Sequence, residues 1–194
     1  MDSLELFRAE CSEHRAVLEA TEGRLAGEVE RTLELWERCA KAGGKILLFG
    51  NGGSAADAQH VAAELVVRYR HDRPPISAIA LTTDTSVLTA AANDLGYDSI
   101  FSRQIEALGQ KGDVAVGFST SGSSRNVIAG LRSARSRGLV TIGFTGGRGG
   151  TMAADCDVLL TVPSLVTARI QEMHILLGHI LCAGLEVRLQ PQQG

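Results

Sequence analysis

Five short apolar runs, each closed by a turn and followed by a stretch with helical spacing, constrain this chain more than any other feature. They are Ile46-Leu47-Leu48-Phe49, Ala78-Ile79-Ala80-Leu81, Val114-Ala115-Val116-Gly117-Phe118, Val140-Thr141-Ile142-Gly143-Phe144 and Val158-Leu159-Leu160-Thr161-Val162. A strand with one wet face alternates apolar and polar residues, so largely unbroken apolar runs have to be covered on both faces. Helical stretches follow at about 54–67, 85–94, 99–109, 124–136 and 167–189. Buried strands alternating with helices make a parallel sheet joined by right-handed crossovers. The expected fold is therefore α/β, a doubly wound five-stranded parallel sheet. Ligands of such sheets sit beyond the carboxyl ends of the strands, so the turn after each strand is where chemistry is to be sought.

Ahead of the first strand, residues 3–42 contain no proline, and Leu18, Leu25, Val29, Leu33 and Trp36 recur at steps of seven, four, four and three. Those spacings predict two amphipathic helices ending at Gly43-Gly44. They form an N-terminal helical arm (1–42) before the sheet domain (43–194), with Leu33 and Trp36 as core or interface residues. Such an arm often packs against another subunit. From Pro191 onward a frayed tail is expected. A length of 194 residues suits one such domain plus arm. The net charge of −3, with no polybasic run, gives no basic face for nucleic acid. Cys11, Cys39, Cys156 and Cys182 form no CxxC pair, which points to free thiols in a reducing compartment. The acidic, amphipathic start lacks the features of a signal peptide, and no apolar run is long enough to span a membrane. A cytoplasmic location is expected.

Two strand-end turns have the makings of a phosphate cradle. The first is Gly50-Asn51-Gly52-Gly53-Ser54, where glycines allow close backbone approach and a helix N-terminus offers free N–H groups. Ser54-Ala55-Ala56-Asp57 also resembles a capping box with Ser54 as the cap. It is neither a P-loop nor a dinucleotide fingerprint. The second turn, Ser119-Thr120-Ser121-Gly122-Ser123-Ser124, holds five hydroxyls where one would suffice as a cap. Hydroxyls and backbone N–H groups together can hold a phosphate without a dedicated cation. A third turn, Thr145-Gly146-Gly147-Arg148-Gly149-Gly150, is a further cradle candidate or a tight connection. Without a nucleotide motif, the economical ligand is a phosphorylated small molecule.

Acid–base and metal candidates lie on two helices. His60 and Glu64 are spaced i, i+4, on one face of a helix that Ala58, Val61, Ala62, Ala63 and Leu65 predict to be largely buried. Gln171 and His179 on the last helix lie roughly 80° apart and can look into one cavity. His174 lies roughly 140° from His179 and is read as a satisfied interface histidine. His14 and His71, in polar stretches, are read as solvated. A Glu and a His facing one cavity are what an aldose–ketose isomerase needs: one removes the proton α to the carbonyl, the other moves protons between the enediol oxygens. With His60 and Gln171 they offer nitrogen and oxygen ligands suited to Zn²⁺.

At these residues the chain resembles the phosphoheptose isomerase family, built on the sugar-isomerase (SIS) domain. The resemblance is carried by Gly50 through His60, Ala63-Glu64-Leu65, Asn93-Asp94, Phe101-Ser102-Arg103-Gln104, Ser119-Thr120-Ser121-Gly122, Phe144-Thr145-Gly146 and Arg169 through His174, in register over about 42–187. It implies conversion of D-sedoheptulose 7-phosphate to D-glycero-D-manno-heptose 7-phosphate, on the way to the heptose of bacterial surface polysaccharide. It also implies a homotetramer with active sites at subunit interfaces and one Zn²⁺ per subunit. Asn51, Gly52, Gly53 and Ser54, with Ser119, Thr120, Ser121 and Ser124, correspond to substrate-binding positions. Asn93 and Asp94 correspond to sugar contacts, while Glu64 and Gln171 also meet the substrate. His60, Glu64, Gln171 and His179 correspond to metal ligands, and Glu64 and His179 to the acid–base pair. Some members carry an acidic residue where this chain has Val166-Thr167-Ala168, so no carboxylate role transfers there.

Two other readings compete. A relative of the same fold regulates replication by binding the initiator DnaA. It lacks the glutamate and histidine that stand here as Glu64 and His179, which favours the enzyme. A sugar-phosphate sensing module is usually fused to a DNA-binding domain, for which a chain of this length leaves no room.

Overall fold

In the computed structural model, residues 2–190 are described; the tail expected to fray from Pro191 lies outside them. The elements run α1 (Ser3–Lys41), β1 (Ile46–Gly50), α2 (Gly53–Val66), β2 (Ala78–Ala80), α3 (Thr85–Leu95), α4 (Ile100–Leu108), β3 (Val114–Ser119), α5 (Arg125–Ser136), β4 (Val140–Gly146), β5 (Val158–Val162) and α6 (Thr167–Leu189). Short 3₁₀ turns occupy Tyr97–Ser99 and Thr151–Asp155. The sheet is wholly parallel, in the order β2-β1-β3-β4-β5. The chain moves from β1 outward to β2, then returns to lay β3 on the other side of β1. The strand order therefore reverses between β1 and β3.

The unbroken apolar runs are explained by two cores. Ile46, Leu48, Val114, Val116, Phe118, Ile142 and Phe144 face a layer made of α1, α2 and α6. Leu47, Phe49 and Ala115 face α3, α4 and α5 on the other side. Within β1, successive side chains thus enter opposite cores, as the strand's period of two requires.

The expected pair of N-terminal helices is one continuous helix of 39 residues, α1. Nothing in the sequence interrupts it: proline is absent, and a Cβ at Gly23 or Gly27 would meet nothing within 4 Å. A reciprocal capping box starts it, with Glu5 N donating to Asp2 Oδ1 at 2.8 Å and Asp2 N to Glu5 Oε2 at 3.0 Å. It stops at Gly43, whose φ of 74° ends the right-handed winding. Leu25, Leu33 and Trp36 are buried in the core, with Leu18 and Val29 packed against it, so the second half of α1 belongs to the same hydrophobic layer as α6.

The final helix is apolar on nearly every side because it is a central element, wedged between α1 and α2. Glycines allow the close approach on both flanks. A Cβ at Gly178 would come within 2.7 Å of Val61 on α2, and one at Gly184 within 2.8 Å of Leu33 on α1.

Two histidines differ from expectation. His14, read as solvated, puts Nδ1 2.7 Å from Glu172 Oε2 and helps tie α1 to α6. His174, read as an interface residue, is completely buried within this chain, edge-on to Phe118 and Phe144. Its Nε2 donates to Thr145 O at 3.2 Å, and its Nδ1 has no partner among the described residues.

Burial lowers the His174 pKa from 6.5 to about 4, against a small opposing pull from the Thr145 carbonyl. The unfolded chain takes up a proton at this position below about pH 6.5, which the folded protein refuses until about pH 4. Stability tied to this residue is therefore fully present above pH 6.5 and is lost as the pH falls through that window, by roughly 3 kcal/mol. Denaturant unfolding at a series of pH values should show a shallower acid-side loss for His174→Gln than for the wild type. Parallel profiles would disprove it.

Candidate functional site

The strand-order reversal opens a crevice at the carboxyl ends of β1 and β3, where Gly50 pairs with Phe118 in register. The glycine turn (50–53) and the serine turn (119–124) both end there. The helix-cap reading of Ser54 does not hold. Gly52 is the N-cap of α2, with φ 57°, and no side chain caps it. Ser54 is buried inside the first turn, its N–H donating to Asn51 O at 3.0 Å. Asp57, the other half of the expected box, keeps Oδ2 buried without a partner, and burial raises its pKa to about 6, with His60 pulling the other way.

The serine turn is internally braced. Ser119 Oγ and Ser124 Oγ are 2.9 Å apart, Ser123 N donates to Ser121 Oγ at 3.2 Å, and Gly122 N donates to Ser119 O at 2.9 Å. Ser119 is buried, Thr120 and Ser124 are half-buried and Ser121 is exposed, so the hydroxyl row is graded from core to solvent. The third glycine-rich turn supports this one from behind. A Cβ at Gly122 would collide with the Gly149 backbone, and Gly146 N donates to Thr120 O at 3.1 Å. The tight-connection reading fits that turn better than a third cradle.

Asn51 joins the two turns. Its Nδ2 donates to Asn126 Oδ1 at 2.9 Å, and Asn126 Nδ2 donates back to Asn51 Oδ1 at 2.8 Å, which also accepts from Tyr97 Oη at 3.1 Å. One amide hydrogen of Asn51 is left for a ligand. Asn126 was missed in the sequence, although a buried amide one residue into the helix after the serine turn is a usable signal. Asn93 and Asp94 lie exposed at the end of α3, with Asn93 Nδ2 donating to Asp94 Oδ1 at 2.7 Å.

The close approach of α6 to α2 at Gly178 and Val61 brings the flanking residues together. His60 Nε2 and His179 Nε2 are 2.8 Å apart, and His60 Nε2 is 3.3 Å from Glu64 Oε1. One donor atom from each of His60, Glu64 and His179 falls within 4.8 Å of the others. Two imidazole nitrogens and a carboxylate oxygen are a donor set that fits a borderline cation such as Zn²⁺ once both ring nitrogens are free of protons. Gln171 lies at the other end of this contact, its amide against Gly53, where a Cβ would collide with it. Within this single chain α2 is less buried than its composition suggests: Ala63 and Val66 are exposed, and the His60 side chain is 47% exposed.

Tyr69, unsignalled in the sequence, stacks on the His179 ring at 5.3 Å and 17°. The His179 pKa is lowered, first by burial, then by His60 and Arg70, with Glu64 pulling it upward.

Residues 11–146 match the SIS domain family, a span that takes in most of α1. The phosphoheptose isomerase of Paramagnetospirillum magneticum is 58% identical over 180 residues, 93% of this chain and 94% of that protein. Two solved structures, phosphoheptose isomerases from Neisseria gonorrhoeae and Francisella tularensis, superpose with TM-scores of 0.91 and 0.93. They share 46% and 34% identity, and each comparison covers 96% of this chain and 100% of the other. The geometry of the strand-end turns and of the His–Glu–His cluster thus occurs in a chain that belongs to the SIS domain family and, within it, to the phosphoheptose isomerases.

Proposed function

We propose that this protein is an aldose–ketose isomerase that converts D-sedoheptulose 7-phosphate to D-glycero-D-manno-heptose 7-phosphate. The observation that carries the reading is the contact between the α2 and α6 side chains, which sets Glu64 beside His179 in a chain of this family. The phosphate lies in the cradle between Gly52-Gly53-Ser54 and Ser119-Thr120-Ser121-Ser124, where N–H groups and hydroxyls neutralise it. Asn51, Asn93, Asp94 and Gln171 contact the sugar. Glu64 removes a proton from C1 of the ketose, α to the C2 carbonyl, giving a cis-enediol(ate). His179 relays a proton between O1 and O2, and the proton held by Glu64 returns to C2. The atoms balance with no external oxidant or reductant. No carboxylate from the Val166-Thr167-Ala168 segment takes part.

His60, Glu64 and His179 would hold one Zn²⁺ per subunit, and Gln171, whose amide lies against Gly53, would have to turn toward them to serve as a fourth ligand. Such an ion supplies a Lewis acid for the carbonyl and hydroxyl oxygens of the reacting carbons. The enzyme works in the cytoplasm, as an early step toward the heptose of a surface polysaccharide. It assembles as a homotetramer through the helical arm (1–42) and an apolar groove between α1 and α6 lined by Leu18, Leu25, Val29, Leu176 and Ile180, with the isomerase domain spanning 43–194. The exposed Leu4, Leu6, Phe7 and Ile180 and the half-exposed His60 support an assembly that completes each site. The DnaA-binding alternative depended on lacking the Glu64 and His179 pair, and both side chains are present and adjacent.

The deciding experiment is turnover of sedoheptulose 7-phosphate by the purified protein, measured before chelation, after it, and after zinc is returned. Turnover lost to chelation and restored by zinc is expected; inactivity with every metal would end the isomerase reading. Glu64→Gln should lower kcat by about 10²–10⁴-fold while leaving binding of the phosphosugar nearly intact. Retained turnover would remove Glu64 as the base. Ser119→Ala combined with Ser121→Ala should raise KM about 10-fold or more, as expected when hydrogen bonds to a charged group are lost. An unchanged KM would argue against the cradle.

A further inference from the structure

Seven residues beyond His179, and within about 20° of the same face of α6, stands Glu186. Its side chain is 1% exposed. A carboxylate removed from water needs strong partners, and a leucine would serve the core better. Glu186 has four partners. It accepts from the backbone N–H groups of Tyr69 at 2.8 Å, Arg70 at 3.0 Å and His71 at 3.3 Å, and from Arg73 Nε at 3.1 Å. Arg73, 8% exposed at its side chain, passes the connection on. Its guanidinium donates to Glu64 O at 2.7 Å, Leu65 O at 2.8 Å and Pro74 O at 3.1 Å.

One carboxylate and one guanidinium therefore tie three things together. They join α6 two turns past His179, the segment whose Tyr69 ring stacks on His179, and the last turn of α2 at the backbone of Glu64. We infer that Glu186 and Arg73 are positioning residues for the acid–base pair: they fix Glu64 through its own carbonyl and His179 through the Tyr69 ring, without touching substrate. The inference rests on the isomerase reading. It assigns a functional use to a buried ion pair that also satisfies the backbone groups at the end of α2 and in the segment after it.

Arg73 and Glu186 also line a cavity of about 370 Å³, with His71, Pro74 and Gly43 on its walls. Arg73→Ala would enlarge that space and leave Glu186 with its three N–H donors. In the folded variant kcat should fall about 10–100-fold while KM stays within about twofold, because the phosphate cradle is untouched. Guanidinium ion at a non-denaturing concentration should restore much of the lost kcat and leave the wild type unchanged. Zinc affinity, read by chelator competition without substrate, should weaken about 10-fold, the loss typical when the support of a ligand is removed. If Arg73→Ala does not fold, Arg73→Lys takes its place. It keeps the charge beside Glu186 but cannot span the α2 carbonyls, and the same fall in kcat is expected.

Wild-type kcat and zinc affinity in the folded variants would overturn the inference, as would a loss of kcat matched by an equal rise in KM with no rescue. Failure of the wild-type protein to turn over sedoheptulose 7-phosphate would instead count against the isomerase reading, and the zinc affinities would still judge the clamp.

Discussion

The contact between α6 and α2 at Gly178 and Val61 is the constraint on which the site depends. Two helices pack this closely only where one of them has no side chain at the crossing. The residues on either side of that crossing, His60 and His179, then meet because the backbones already have. A side chain at position 178 would separate the helices and part the His–Glu–His cluster. The same helix is held on its other flank by Gly184 against Leu33, which makes α1 a fixed wall of the core rather than a loose appendage in that stretch.

A second constraint comes from sheet topology. Parallel strands bring their carboxyl ends to one edge, and the reversal of order between β1 and β3 leaves a gap there that no crossover covers. The glycine and serine turns border that gap, and the reciprocal Asn51–Asn126 amide pair holds them in register. The α6 helix joins the two constraints, since Gln171 abuts the glycine turn at one end and His179 reaches α2 just over two turns later.

The parts legible in the sequence were those governed by local periodicity. Unbroken apolar runs identify two-sided strands wherever they occur, and the five strands and the helix over 167–189 fall where the pattern puts them. The arm is one helix rather than the expected two, because the apolar spacing shows that a stretch is helical but carries no mark of whether the helix is continuous. Ser54 was misjudged as a cap because Gly52 reaches the required positive φ and starts the helix two residues earlier. His174 was placed at an interface because its helix is apolar all round, a pattern that a chain's own core and a subunit contact produce alike.

The sequence by itself determined the fold class, the turns at the carboxyl ends of the strands and the residue types able to move a proton or hold a metal, since each depends on a few neighbouring residues. The tertiary structure alone decided that His60, Glu64 and His179 converge, that Tyr69 lies on His179, and that Glu186 gathers the segment behind them. Those facts depend on residues more than a hundred positions apart, set by how closely two helices can approach. Local spacing contains no information about that distance.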